Sequence, residues 1–392
     1  MTMTTEGGPV AKIIIFVADF AATGVVVNAL AIAGELKRRG VPIQFVVSQA
    51  EGTLRTAVPE GVPVTALLPD SVRLSRRERL QKSLVPYRQF LTDCAPAVLF
   101  SAGNQGHLTT VTAAAGIRGL RLVVRVSNDP AHESAGGRPG FFARRRRRLK
   151  FRRIAAAADR MIFVSARLLD AWTAIGADLS GKSIVVPNGV DVDSVRRKAA
   201  EPCSHPWLAG GEMPVVLGVG RLVEQKNFEA LIRAVELAST SQPLRLLLIG
   251  DGPLAESLTL KAAAAGLQDR FEIVPPVANP MPYLAGAAVV ALPSWWEGAS
   301  NVLLEAIACG TSVLASRTAG SAEEVLDGGK YGALVDPADP RDIADALLKQ
   351  VGPSPIAPGE RALHFSRQLA LDVYADLLIE EAGLTVSAAT RP

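Results

Sequence analysis

The chain has little of what builds metal sites and disulfide scaffolds. Its 392 residues include 3 cysteines and 4 histidines. Cys94, Cys203 and Cys309 lie far apart with no CxxC pair, which argues against a disulfide framework or a zinc ribbon and suits a reducing compartment. His107, His132, His205 and His364 show no zincin spacing and no adjacent carboxylate ladder, so metal ligation has little support. Long apolar runs are also missing. The most apolar stretch, 13–33, is broken by Asp19, Gly24 and Asn28, which speaks against a membrane-spanning helix. The first ten residues, MTMTTEGGPV, lack the basic region of a secretory leader. A cytoplasmic protein is the expectation.

A general cationic surface is absent as well. The formal net charge is +4 and the pI is near 9.0, but residues 144–153, RRRRRLKFRR, carry eight cations and no anions. The rest of the chain is therefore net −4. A protein that coats nucleic-acid phosphates needs its charge spread along a surface, so no nucleic-acid partner is expected.

What the chain does have is ordinary globular composition, 48% hydrophobic and 20% charged, at a length that buries large cores. Short apolar runs alternate with longer amphipathic segments, as in βα units around a mostly parallel sheet. Lys12–Val17 and Ile43–Ser48 read as strands flanking a helix over Val27–Arg39. The alternation fades in the polar, proline-containing stretch 190–211, read as a linker, and restarts at Val215–Val219. This predicts an α/β protein with two doubly wound, Rossmann-like domains, whose ligand lies in the cleft between them. The expected boundaries are 1–205, 206–361 and a C-terminal helix and tail, 362–392.

Three motif matches lead elsewhere. Gly176 to Ser183, GADLSGKS, fits the P-loop pattern, but a helical segment precedes it and a strand follows, the reverse of what phosphate binding needs. Gly250-Asp-Gly252-Pro-Leu-Ala255 fits the relaxed dinucleotide fingerprint but sits mid-domain, and Pro253 fits the first position of a helix. A strand–helix turn accounts for it. Asp191-Val-Asp193 resembles a metal-holding pair, and a solvated turn after Asn188-Gly189 explains it better.

The productive constellation lies in the second domain. GVGRLVEQKN places Gly220, Arg221 and Lys226 in a loop after a strand. Arg221 can fork two diphosphate oxygens while Lys226 acts as a point charge. The alternative is a surface loop whose cations pair with Glu224. In PSWWEGASNVLLEAIACG, Ser300 suits an N-cap and Gly310 a C-terminal stop. The amides of Asn301, Val302 and Leu303 would then face an anion. Glu297 precedes this helix and Glu305 lies just over one turn inside it. Carboxylates beside a phosphate-binding helix start make sense if the ligand carries sugar hydroxyls on either side of its diphosphate.

EGxxNVLLEA, with its Glu297-x7-Glu305 pair, resembles the large retaining glycosyltransferase family numbered four, which has the GT-B fold. So do GVGRLVEQKN, LLLIGDGP, VVPNGVD and GSAEEVLDG. The resemblance implies a GT-B enzyme with domains facing across a cleft and the C-terminal helix crossing back to the first. It implies a hexose moved from a nucleotide-diphosphate sugar, a UDP-sugar by analogy, to a glycan or lipid-linked acceptor, with no cofactor and no obligatory metal. Arg221 and Lys226 would hold the diphosphate, Glu297 would touch the transferred sugar, and Glu305 would bind the ribose hydroxyls. The amides of 301–303 would meet the phosphates. Gly24, in Ala22-Thr23-Gly24-Val25, matches the first domain's glycine loop, and Asn28 and Ser165 are further cleft candidates.

The acceptor side departs from the family pattern. The glycine loop carries no charged residue, and RVSNDPAHES offers Ser127-Asn128, with His132 five residues on, where a cleft histidine is usual. Two other functions stay open: a GT-B-like epimerase or phosphorylase, and a non-catalytic sugar-nucleotide-binding partner protein. The segment 141–153, FFARRRRRLKFRR, sets phenylalanines among arginines, as in a helix lying on an anionic membrane; a solvated helix face is the alternative.

Overall fold

The computed structural model describes residues 12–71, 73–129, 141–211, 213–352 and 358–384. The MTMTTEGGPV segment, His132 and the end of the C-terminal tail lie outside the described residues. Two compact units emerge, one ending at Val186 and resuming at Ala370, the other spanning Pro187–Leu369.

In the first unit seven parallel strands stand in the order β3-β2-β1-β4-β5-β6-β7. They are β1 Lys12–Val17, β2 Ile43–Val47, β3 Val64–Ala66, β4 Ala97–Ser101, β5 Leu120–Val126, β6 Arg160–Phe163 and β7 Ser183–Val185. Ile13 pairs in register with Ile43 on one side and Val98 on the other. The central strands read as near-continuous apolar runs because helices cover both faces of a parallel sheet. The first helix runs Gly24–Arg38, three residues earlier than the apolar pattern suggests, because the Thr23 side chain accepts from the Val26 amide and caps it there.

The second unit has six parallel strands in the order β10-β9-β8-β11-β12-β13. These are β8 Val215–Val219, β9 Arg245–Ile249, β10 Phe271–Val274, β11 Val289–Leu292, β12 Val313–Ser316 and β13 Ala333–Val335. Period-2 burial is explicit here. Leu247 and Ile249 belong to one core cluster, and Leu246 and Leu248 to the cluster on the opposite face. Strand order reverses between β8 and β11, the place where doubly wound sheets open a crevice at their strand ends.

Two expected boundaries move. The stretch read as a linker contains the helix Val192–Ala199, capped by Asp191, whose side chain accepts from the Ser194 amide. Val192 and Val195 are buried in the second unit's core, so that unit begins at Pro187 and not at 206. Asp191 is thus occupied as a helix cap. At the other end the expected helix 362–381 is split. A 3-10 turn, Pro358–Phe365, precedes the helix Arg367–Glu381, and Ser366 between them bridges to Val190. From Ala370 the chain belongs to the first unit. Tyr374, Ala375, Leu377, Leu378 and Ile379 join its core, Arg39 holds Asp372 and Asp376, and Arg160 holds Glu381. Pro253 also falls short of a helix N1 position: that helix begins at Ala255, after Leu254.

Candidate functional site

The loop after β8 is shaped by contacts that its sequence dictates closely. Gly220 has φ 151°, and a Cβ there would lie 2.8 Å from Lys226 Cε; glycine alone lets the lysine fold back over the strand end. After a short 3-10 turn, Glu224–Lys226, Asn227 adopts the left-handed region at φ 54°, which asparagine tolerates better than most residues. Its buried Nδ2 donates to Pro293 O at 3.1 Å and to Pro337 O at 2.8 Å. Gln225 ties the same two loops: its carbonyl accepts from the Trp295 amide at 2.9 Å, and its Nε2 donates to Trp296 O at 2.9 Å.

Those ties deliver Lys226 to Glu297. Lys226 Nζ lies 2.6 Å from Glu297 Oε1, with the two side chains 15% and 11% exposed. Ser294 Oγ donates to the same carboxylate oxygen at 2.9 Å, and Ser316 Oγ donates to Ser294 O at 2.5 Å. The Glu297 loop is fixed from behind by Gly320, at φ 52°, where a Cβ would meet Gly298 O at 2.2 Å. So Lys226 pairs with Glu297 and not with Glu224. Arg221 is exposed, with Nη2 3.5 Å from Gln225 Oε1, at the far edge of hydrogen-bond reach.

The helix Asn301–Ala308 starts beside this pair. Ser300 caps it, and its hydroxyl accepts from the Leu303 amide at 3.4 Å. Leu303 thus shares its amide with the cap and sets its side chain in the core. The amides of Asn301 and Val302 remain as first-turn donors without intrahelical acceptors. Asn301 Oδ1 accepts from Asn188 Nδ2 at 2.8 Å, which draws the VVPNGVD segment to the helix start. Glu305 faces a different pocket, lined by Asp191, Ser194, Lys198, Met281, Asn301 and Arg367. Burial raises its carboxyl above the ordinary glutamate value, against the opposing pull of Arg367 and Lys198.

The second unit thus brings Gly220, Lys226, Glu297 and Asn301 around the switch point, with Glu305 one turn further in. Ser294, Gln225, Asn227, Lys198 and Arg367 escape the sequence reading. Asn227 carried a signal, as an asparagine ending a glycine-bearing loop; Arg367, far along the chain, carried none. Such a site can take an anion at the helix start and hydroxyls at the carboxylates.

In the first unit, Gly24 opens the helix after β1. Asn28 turns its Nδ2 to Gly24 O at 2.9 Å. Ser165 is buried and caps the helix Ala166–Ala174. Asn104 Oδ1 accepts from the Ser127 amide at 2.9 Å, and its Nδ2 donates to Asn128 O at 3.2 Å.

Comparison with known proteins adds a family and a fold. A model described as Glycosyltransferase Family 4 matches residues 22–194, and one described as Glycosyl transferases group 1 matches residues 213–351. The GDP-mannose-dependent alpha-(1-6)-phosphatidylinositol monomannoside mannosyltransferase of Mycolicibacterium smegmatis is 35% identical over 219 residues, 52% of this chain and 55% of that protein. The D-inositol 3-phosphate glycosyltransferase of Corynebacterium jeikeium is 38% identical over 182 residues, 43% of each. The matched stretches span about half the length of these curated relatives. Among solved structures, HepE of Anabaena in complex with UDP-glucose aligns over 94% of this chain and 99% of its own, with TM-score 0.74 at 19% identity. The two parallel Rossmann-like sheets are those of the GT-B fold.

Proposed function

The chain belongs to the family 4, group 1 glycosyltransferases, and from that premise we propose that it is a retaining enzyme that moves a hexose from a nucleotide-diphosphate sugar to a glycan or lipid-linked acceptor. The observation that carries this reading is the Lys226–Glu297 pair held beside the start of the helix Asn301–Ala308. Glu297 gives Lys226 a partner until the donor arrives; Lys226 and Arg221 then meet the diphosphate, with the Asn301 and Val302 amides behind it. In the reaction the C1–oxygen bond of the donor breaks and its electron pair leaves with the nucleoside diphosphate. The acceptor hydroxyl oxygen bonds to C1 and passes its proton to the oxygen of the departing diphosphate. Two cations and a helix start stabilise the departing charge, so the mechanism needs no obligatory metal.

Glu305 is proposed to bind the ribose hydroxyls and Glu297 the transferred sugar, with Gly24 a phosphate contact from the first unit. For the donor base we propose uridine. The Anabaena structure holds UDP-glucose, whereas the Mycolicibacterium relative is named for GDP-mannose, so UDP, GDP and ADP are compared directly. A lipid-linked acceptor, as the Mycolicibacterium name contains, agrees with our reading of 141–153 as a membrane-surface segment of a cytoplasmic, peripheral protein. No described helix is long and apolar enough to cross a membrane.

Isothermal titration calorimetry tests the assignment. UDP binds most tightly of the three, and Lys226→Ala and Glu305→Ala each weaken it about tenfold or more, the scale of a lost charge-assisted hydrogen bond. Unchanged affinity in both variants overturns the site.

A further inference from the structure

The basic segment forms the helix Phe141–Ala157, and its two faces are unlike. Phe151, Ile154 and Ala155 are buried, and Phe151 sits edge-on against Trp172 with ring centroids 4.8 Å apart. That face anchors the helix to the first unit. On the opposite side, Phe142 is 77% and Leu149 56% exposed. The spacing Phe142, Arg146, Leu149, Arg153 puts two large apolar side chains and two arginines on one outward stripe. Arg145 and Arg152 flank that stripe and are exposed too. A helix that only needed solvation would gain nothing from a phenylalanine and a leucine directly opposite its anchored face.

The surface continues beyond the helix. Arg153 Nη2 is 3.4 Å from Thr112 Oγ1, and Thr112 lines a shallow apolar trough with Leu84, Val85 and Ala113. Val85 is 79% exposed. One flank of the first unit therefore carries three large exposed apolar side chains among cations.

We propose that this flank is a docking surface for an anionic lipid bilayer. The stripe of Phe142 and Leu149 enters the headgroup boundary, and Arg145, Arg146, Arg152 and Arg153 bind lipid phosphates beside it. Charge favours this surface: eight cations without an anion stand against a remainder that is net negative, so this flank is the one drawn to an anionic membrane. The apolar pair selects a bilayer over a soluble polyanion, because only a bilayer offers a place to bury it. The proposal deepens the reading of 141–153 made with the transferase function, and it stands or falls separately from nucleotide binding in the second unit.

Co-sedimentation of the full chain with vesicles tests it, using phosphatidylcholine alone against equal parts phosphatidylcholine and phosphatidylglycerol. Binding is expected to the anionic vesicles only and to weaken with salt. The double variant Phe142→Ser, Leu149→Ser lowers partitioning about tenfold or more. The triple variant Arg145→Gln, Arg146→Gln, Arg152→Gln lowers it about a hundredfold, each cation being worth about fivefold. Both sets leave the anchored face intact, so thermal stability and UDP affinity by calorimetry are unchanged. Equal binding to neutral vesicles, anionic binding unaffected by the serine variant, or tighter capture by heparin than by vesicles overturns the proposal. Absence of binding to UDP, GDP and ADP alike in the parent chain would instead overturn the transferase reading and leave the vesicle result standing.

Discussion

The two units share one strand order about the point of reversal, the first with one strand more, and use it differently. In the second, charges gather at the strand ends: Lys226 after β8 meets Glu297 after β11, where the strand order reverses. In the first, charge at the strand ends is tied up among the chain's own groups: buried Asp19, after β1, lies 3.5 Å from Arg79, which also holds Glu51 after β2, while the segments after β4 and β5 carry neutral Asn104 and Ser127, hydrogen-bonded to each other. Its polar investment lies deeper and further out. Buried Ser101 Oγ stands 2.8 Å from His107 Nδ1, and His107 Nε2 stands 3.0 Å from Arg125 O. Arg125 Nε in turn donates to Tyr374 OH at 2.9 Å. The exposed cations stand on an outer helix, away from the sheet. A doubly wound sheet dictates where a crevice opens, but the loop residues decide whether it holds charge.

The largest test of that contrast removes an anchor of the first unit alone. Trp172 is fully buried between Phe151 and Phe163, with centroids at 4.8 and 6.0 Å. Trp172→Ala is expected to cost about 3–5 kcal/mol, the range for an emptied aromatic site. Hydrogen exchange should show protection falling in β4 to β6 while β8 to β12 keep theirs, with UDP affinity preserved. Equal loss in both units would mean that they are one cooperative structure and that the comparison between them is void.

A smaller effect reads the buried polar network. Burial pushes the His107 imidazole down to about 3, against the Arg125 carbonyl that favours its protonated form. Unfolded histidine titrates near 6.5, so between about pH 6.5 and 3 the unfolded chain takes up a proton that the native one refuses. Stability from this group is therefore complete above about pH 6.5 and falls as the pH drops. The loss is about 2 kcal/mol between pH 7 and 5. Urea denaturation at the two pH values measures it, and His107→Gln should remove that increment. An identical pH slope in the variant would show that the histidine is not the cause.

The second unit was more legible in sequence than the first because its chemistry is local. The motif 218–227 and the motif 293–310 each specify a loop and a helix start, and their glycine, serine and asparagine positions mark the turns. What brings the two motifs together, Asn227 reaching Pro293 and Pro337, depends on strand order, which single-strand patterning does not encode. The same limit hid Arg367 beside Glu305. In the first unit, Ser165 was only a candidate for the cleft wall, and a serine before a helix also serves as an N-cap, as it does here. The helix Val192–Ala199 was lost in a polar stretch because only Val192 and Val195 mark its inward face, too few for a periodicity to stand out.

The smallest predicted effect bears most directly on how the charged site works. Lys226 and Glu297 are shielded, at 15% and 11% exposed, whereas Arg121 and Asp159 in the first unit stand 3.5 Å apart at 53% and 33% exposed. A double-mutant cycle of Lys226→Met with Glu297→Gln is expected to give a coupling of about 1–2 kcal/mol in urea denaturation, because either single change leaves a shielded charge alone. The matching cycle at Arg121 and Asp159 should give about 0.5 kcal/mol or less, as solvent screens an exposed pair. Saturating UDP then distinguishes a structural pair from a poised one. If Lys226 turns to the diphosphate, the ligand replaces Glu297 as its partner and the coupling falls towards that of the exposed pair. A coupling unchanged by UDP would leave Lys226 a brace of the Glu297 loop and pass the diphosphate to Arg221 and the helix start at Asn301.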